Sequence, residues 1–148
     1  MLSYRDATPA DRDWLYALKR ATLRPYVEAT WGRWDEADQR ERFARGFRPE
    51  ETRIVQLDGQ PVGALRVRES DGRVFLAEVA VTPERQRRGL GRAIIRGVLD
   101  QAAAGGRAVR LQVLKVNPAH ELYARLGFAT IEETATHFVM EHPAPVVP

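Results

Sequence analysis

Between Thr52 and Val81, apolar residues recur at every second position in short runs. The stretches DGQP and SDGR interrupt them. This pattern predicts three antiparallel strands, near residues 52–57, 61–68 and 73–81, joined as a meander. On either side the period lengthens. Leu15, Leu18 and Thr22 share one face of a helix. Thr8 can cap that helix, Pro9 suits its first position, and Asp11 sits where a capping-box acid belongs. Pro25 predicts a break into a second helical segment. A further helix is expected in WGRWDEADQRERFARGF, with Asp35 as its cap, Phe43 and Phe47 about one turn apart, and its charges forming a solvated face.

Downstream, Leu90, Ile94 and Val98 repeat every four residues until Gly105-Gly106 ends the run. Val109, Leu111 and Val113 alternate as a strand. NPAHELYARLGF reads as a short helix capped by Asn117, with Pro118 at its first position and Gly127 as its stop. FATIEETATHFVME supplies one or two last strands, and LSYRDA, from Leu2 to Ala7, supplies the first. Residues 142–148 are expected as an extended tail. Strands interleaved with helices, without a linker or repeat, predict one α/β domain over residues 1–148.

Composition narrows the function classes. The 148 residues are 44% hydrophobic and 29% charged, ordinary values for a globular domain with a real core. No apolar run reaches the roughly 20 residues that span a bilayer, and MLSYRDATPADRD has no signal-peptide pattern. No membrane partner and a cytoplasmic location are therefore expected. Without cysteine there is no disulfide framework, thiolate metal site or cysteine nucleophile. His120, His137 and His142 lack zinc-binding spacing, so no metal is expected. The net charge is +3, and arginine supplies nearly all of the 23 basic residues, a weak pointer to a polyanionic partner.

The densest charge stands in RQRRGLGRAII, residues 85–95. Three readings are open: a nucleic-acid patch, a solvated helix end, or a cradle for phosphates. The context is strand, turn, glycine loop, helix, where free N–H groups and the helix dipole favour an anion. Arg85, Arg87, Arg88 and Arg92 add full charges. The spacing is neither a P-loop nor a dinucleotide fingerprint. No aromatic residues interleave with the arginines, which argues against RNA and leaves no nucleic-acid partner expected.

Gln86, Gly89 and Gly91 form Q-x-x-G-x-G after a strand ending at Val81 and Pro83. This resembles the acyl-coenzyme A loop of the GNAT superfamily of N-acetyltransferases. A second motif agrees: Asn117 after a strand, Tyr123 on the following helix, then Leu126, Gly127 and Phe128. The order of elements also matches, so the resemblance covers nearly the whole chain, with its specific part between Val79 and Phe128. It implies a central mixed, mostly antiparallel sheet of six or seven strands, flanked by about four helices. It implies direct transfer of an acetyl group from acetyl-CoA to a primary amine, by a monomer or homodimer. The alternative from another class is a non-catalytic acyl-CoA-binding regulatory module.

The resemblance also assigns roles. The last meander strand and the next strand splay apart, and pantetheine pairs with the backbone of Val79, Ala80 and Val81. Pyrophosphate rests on the N–H groups of Arg87, Arg88, Gly89, Leu90, Gly91 and Arg92, beside Gln86. Asn117 contacts pantetheine as well as capping its helix. Tyr123 corresponds to the tyrosine that protonates the leaving thiolate; the competing reading is a core aromatic beside Leu122 and Leu126. Some family members carry a basic glutamate in the strand that holds Glu78, and others carry it on the following strand, where this chain has Gln112. That leaves Glu78, or a water held by backbone, as the candidate general base; the competing reading of Glu78 is that it pairs with an arginine on a partly open sheet face. Tyr26, Trp31 and Trp34, with Phe47, are candidates to line the acceptor site or to pack the early helices.

Overall fold

The computed structural model describes residues 1–146. The alternating stretch forms three consecutive antiparallel strands, β2 (Thr52–Leu57), β3 (Gln60–Ser70) and β4 (Arg73–Val81). Their turns place Asp58 and Gly59 at φ 51° and 81°, and Asp71 and Gly72 at φ 53° and 70°. These left-handed pairs match the right-handed twist of a two-residue hairpin. β1 (Leu2–Asp6) pairs with β2. Later in the chain come β5 (Val109–Leu114), β6 (Ala129–Glu133) and β7 (His137–His142). The seven strands form one sheet in the order β1-β2-β3-β4-β5-β7-β6, parallel only between β4 and β5. β7 includes His142, the first residue of the expected tail; Val147 and Pro148 lie outside the described residues.

Four helices flank this sheet: α1 (Arg12–Trp31), α2 (Glu36–Gly46), α3 (Leu90–Ala104) and α4 (Ala119–Arg125). The expected mixed, mostly antiparallel architecture is therefore present. On one face, Ile94, Ile95 and Val98 of α3 and Tyr123 of α4 pack against Val55, Val74, Leu76 and Leu111. On the other, Leu15 and Leu18 of α1 meet Ile54, Ala64 and Ala80, with Phe43 and Phe47 alongside.

The capping signals act locally. The Asp11 carboxylate accepts from the Thr8 backbone N–H at 2.8 Å and from both terminal nitrogens of Arg5 at 2.9 Å. The Arg5 guanidinium leads in holding its pKa down at about 2. Asp35 caps α2 by accepting from the Asp38 N–H. The expected break at Pro25 does not occur, because α1 runs through it. Pro25 and Ala21, whose carbonyl loses its helical donor, are both exposed. Water can satisfy that carbonyl while the opposite face stays packed.

Two irregularities shape the sheet centre. β4 and β5 pair only at Val74 with Val109 and Phe75 with Arg110; beyond these, β5 continues its ladder with β7 alone. The β3–β4 register shifts, with Arg66 opposite Glu78 and Val67 opposite Leu76, which leaves Ala77 as the extra residue of a bulge. Gly63 on β3 lies so close to β4 that a Cβ there would stand 2.4 Å from the Ala80 carbonyl oxygen. Gly63→Ala should therefore destabilise the protein by about 1–3 kcal/mol, the usual cost of overpacking. Urea unfolding would check this, and an unchanged midpoint would show that β4 can move away.

Candidate active site at the opening of the sheet

The separation of β4 from β5 leaves the β4 edge around Glu78 to Val81 without a strand partner. Backbone polar groups on such an edge need another partner. The following loop adds more. Arg87 has φ 64° and Gly89 has φ 82°, two left-handed residues in the turn before α3. Turns that include left-handed residues can direct successive N–H groups toward one concavity. Among the described residues, no backbone carbonyl accepts from the N–H groups of Arg87 to Arg92; the first intrahelical bond of α3 runs from Ala93 to Gly89. Arg87, Arg88 and Arg92 are exposed around it.

Gln86 takes a different position from the other loop residues. Its side-chain amide donates to the Val81 carbonyl at 3.0 Å, tying the loop to the end of β4. Between them, Thr82 has a buried hydroxyl without a hydrogen-bond partner among the described residues. Such a group is costly unless something else satisfies it. The sequence reading missed Thr82, since its burial depends on the fold.

Tyr123 lies on the α3/α4 side of the opening. Its ring is 9% exposed and packs beside Phe128 at 5.9 Å between centroids, so the core-aromatic reading holds for the ring. Its hydroxyl makes no hydrogen bond to a described residue. Burial raises its pKa to about 12, which keeps the phenol protonated across the neutral range. Asn117 acts as a cap, with Oδ1 accepting from the Ala119 N–H at 2.9 Å. Its amide nitrogen has no bond to a described residue.

Glu78 faces the opposite side. Val74 and Leu76 point into the α3 core, yet Val79 also packs there and Ala80 joins the α1 core. The bulge at Ala77 causes this change of parity. It turns Glu78 into a cavity of about 80 Å³ between α1, α2 and the sheet. Lys19, Arg42 and Arg66 share that cavity with it. The expected arginine pairing is absent: Arg66 is its cross-strand neighbour, but no Glu78 ion pair lies within 4 Å among the described residues. Burial lowers the Lys19 pKa, Glu78 opposes the fall, and Arg66 and Arg42 add to it.

The cavity continues outward, through Lys19, Arg42 and Gly46, into a shallow cleft of about 640 Å³ that includes Trp31. Trp31 is 57% exposed, and its ring lies 6.4 Å from that of His137. Trp34 is instead buried, with its indole N–H directed at Glu36, so it packs the early helices. Tyr26 lies on α1 without lining either cavity, whereas Phe47 lines the inner one. Lys19 and Arg66 were not expected at the site. A faint signal existed for Lys19, because it follows Leu15 and Leu18 on the packed side of α1.

Tyr123 stands on the α3/α4 face of the opened sheet and Glu78 on the α1/α2 face; the β4 edge is unpaired there and is followed by the loop of free N–H groups. Such an arrangement can hold an extended ligand with an anionic end, and can give and accept protons near its reactive end.

Comparisons with known proteins agree with this fold. Residues 15–128 match the family described as "Acetyltransferase (GNAT) family". PaiA N-acetyltransferase from Thermoplasma acidophilum, solved in complex with coenzyme A, superposes with a TM-score of 0.78 at 15% identity, covering 97% of this chain and 99% of that one. The ribosomal-protein-S18-alanine N-acetyltransferase from Escherichia coli gives a TM-score of 0.71 at 21% identity, covering 100% and 97%. A mycothiol acetyltransferase of Clavibacter michiganensis subsp. michiganensis is 48% identical over 51 residues, which make up 34% of this chain but only 16% of that protein.

Proposed function

The chain belongs to the GNAT family of acetyltransferases, and from that premise we propose that it transfers an acetyl group from acetyl-CoA to the primary amine of an acceptor bound between α1 and α2. The observation that carries this reading is the opened β4–β5 pair beside six N–H groups without backbone acceptors. The chemistry of these groups suits the donor: free N–H groups at the start of α3 and nearby arginines for pyrophosphate, and the unpaired β4 edge for pantetheine amides.

Acetyl-CoA supplies the activated acetyl group as a thioester. The β4 edge at Val79 to Val81 orients it, and the Arg87–Arg92 loop holds its phosphates. Glu78 accepts a proton from the acceptor ammonium or amine on the α1/α2 side. Tyr123 donates its phenolic proton toward the departing sulfur on the other side. No residue need form a covalent bond, consistent with a chain without cysteine. The same reading takes residues 1–148 as one acetyltransferase domain, cytoplasmic, monomeric or homodimeric, without a nucleic-acid or membrane partner. No helix among the described residues is long and apolar enough to cross a membrane, and none of their acidic and histidine side chains cluster as a metal site.

Titration calorimetry with acetyl-CoA, followed by a screen of diverse amines for coenzyme A release with product masses confirmed, tests the proposal. Binding with acetylated product supports it. Binding without turnover of any amine favours the acyl-CoA-binding module, and absence of binding removes both.

Glu78→Gln keeps the shape of the side chain but cannot accept a proton. Turnover should fall by about a hundredfold, the low end for a general base because water can enter an open cleft. Initial rates of the two proteins, compared with one acceptor amine at a pH where that amine is unprotonated, check this outcome. Equal rates would assign proton removal to water.

A further inference from the structure

The cleft between α1 and α2 has a charge imbalance that proton transfer leaves unexplained. Lys19, Arg42, Arg45, Arg48 and Arg66 line its inner and outer parts, against the one carboxylate of Glu78. Two of these cations already have partners. Arg42 bonds to Asp38 at 2.8 Å, and Arg48 donates to the carbonyls of Arg45 and Phe47. Lys19 and Arg66, both half-buried, have no carboxylate within 4 Å among the described residues. Lys19 instead lies 5.8 Å from the centre of the Phe43 ring.

Two half-buried cations that share one carboxylate, with neither in ion-pair contact with it, are electrostatically costly. The lowered Lys19 pKa has that origin in part: burial dominates, and Arg66 and Arg42 deepen it against the pull of Glu78. An anion between Lys19 and Arg66 would remove the conflict. The inner cavity, at about 80 Å³, is small. An anion bound there must stand only a few bonds from any amine presented to Glu78.

We propose that the acceptor is a small amine carrying a carboxylate a few bonds away, with its carboxylate held by Lys19 and Arg66 and its amino group directed to Glu78. The match is one of charge order: one carboxylate for the ammonium end, and two unpaired cations for the carboxylate end. Arg66 can bind a carboxylate through two parallel N–H bonds, whereas Lys19 supplies a point charge. The carboxylate belongs to a free amino acid or to an acidic first residue of a peptide. This inference rests on the acetyltransferase reading.

The test pairs each acceptor with its neutral counterpart: glycine, alanine and glutamate against their α-carboxamides, and the peptide amide Asp-Gly-Gly against Asn-Gly-Gly. Values of kcat/KM are compared per unprotonated amine, because an amide lowers the pKa of its neighbouring amine. In at least one arm the carboxylate member should be favoured by about tenfold or more. The arm with the larger ratio identifies the source. Arg66→Gln and Lys19→Gln should bring that ratio toward one through KM, with acetyl-CoA affinity retained, and Arg66→Lys should restore part of it.

A wild-type ratio of one or less in both arms overturns the proposal, as does a ratio unmoved in both glutamine variants. If those variants fail to fold, the wild-type ratio decides alone. Bound acetyl-CoA without acetylation of any carboxylate-bearing amine overturns the proposal and leaves the donor assignment standing. Failure to bind acetyl-CoA removes the donor assignment itself.

Discussion

Gly91→Asp is expected to weaken acetyl-CoA binding about a hundredfold to a thousandfold while the protein stays folded. Gly91 lies in the first turn of α3, and a Cβ there would meet nothing within 4 Å. An aspartate at that position also suits the positive end of the helix dipole, so α3 should form as well as before. The added carboxylate would stand among the N–H groups assigned to pyrophosphate, where like charges brought together cost several kcal/mol. Each 1.4 kcal/mol is a factor of ten. Calorimetry on the folded variant, with its far-UV spectrum recorded, checks the outcome. Unchanged affinity would remove the phosphate cradle. Gly89 would be a poor choice for the same test, because φ 82° would strain any side chain there and confuse binding with folding.

Tyr123→Phe should lower turnover by about a hundredfold or more, with acetyl-CoA affinity nearly unchanged. The hydroxyl has no bond to a described residue, so its removal orphans no partner, while the ring keeps its place beside Phe128. Near-normal turnover, measured where chemistry limits the rate, would leave Tyr123 as a packing residue alone. Burial provides a second reading of the same variant. The folded phenol titrates near 12, above its ordinary value near 10. Its contribution to stability is therefore complete below about pH 10 and is lost as pH rises toward 12, because the unfolded phenol ionises first. The phenylalanine variant should lack that part of the alkaline loss of stability, which unfolding titrations between these limits would detect.

Much of this molecule is decided by short-range physics and can be read from the chain. Period-two alternation and left-handed turn residues place β2, β3 and β4, and a four-residue apolar repeat places α3. Gly89 and Gly91 mark the loop because unusual backbone angles and a bare helix start require few neighbours to exist. Asn117 is legible as a helix cap by the same route, whereas Tyr123 stands out by its place in a family motif rather than by local physics.

What remained hidden depends on elements far apart in sequence. Pro25 reads as a helix break, yet α1 is continuous because its lost hydrogen bond falls on the solvent side while Leu15 and Leu18 hold the other face to the sheet. A strict two-residue period would put Glu78 in the α3 core with Val74 and Leu76. The bulge at Ala77, visible only in the pairing with Arg66 and Val67 of β3, turns it to the α1/α2 side. Lys19 and Arg66 stand 47 positions apart and face one cavity only after α1 packs across β3 and β4. Local propensity can decide which residues form a strand or a loop. Only long-range packing decides which face a side chain meets, and here that choice places the carboxylate opposite the cations.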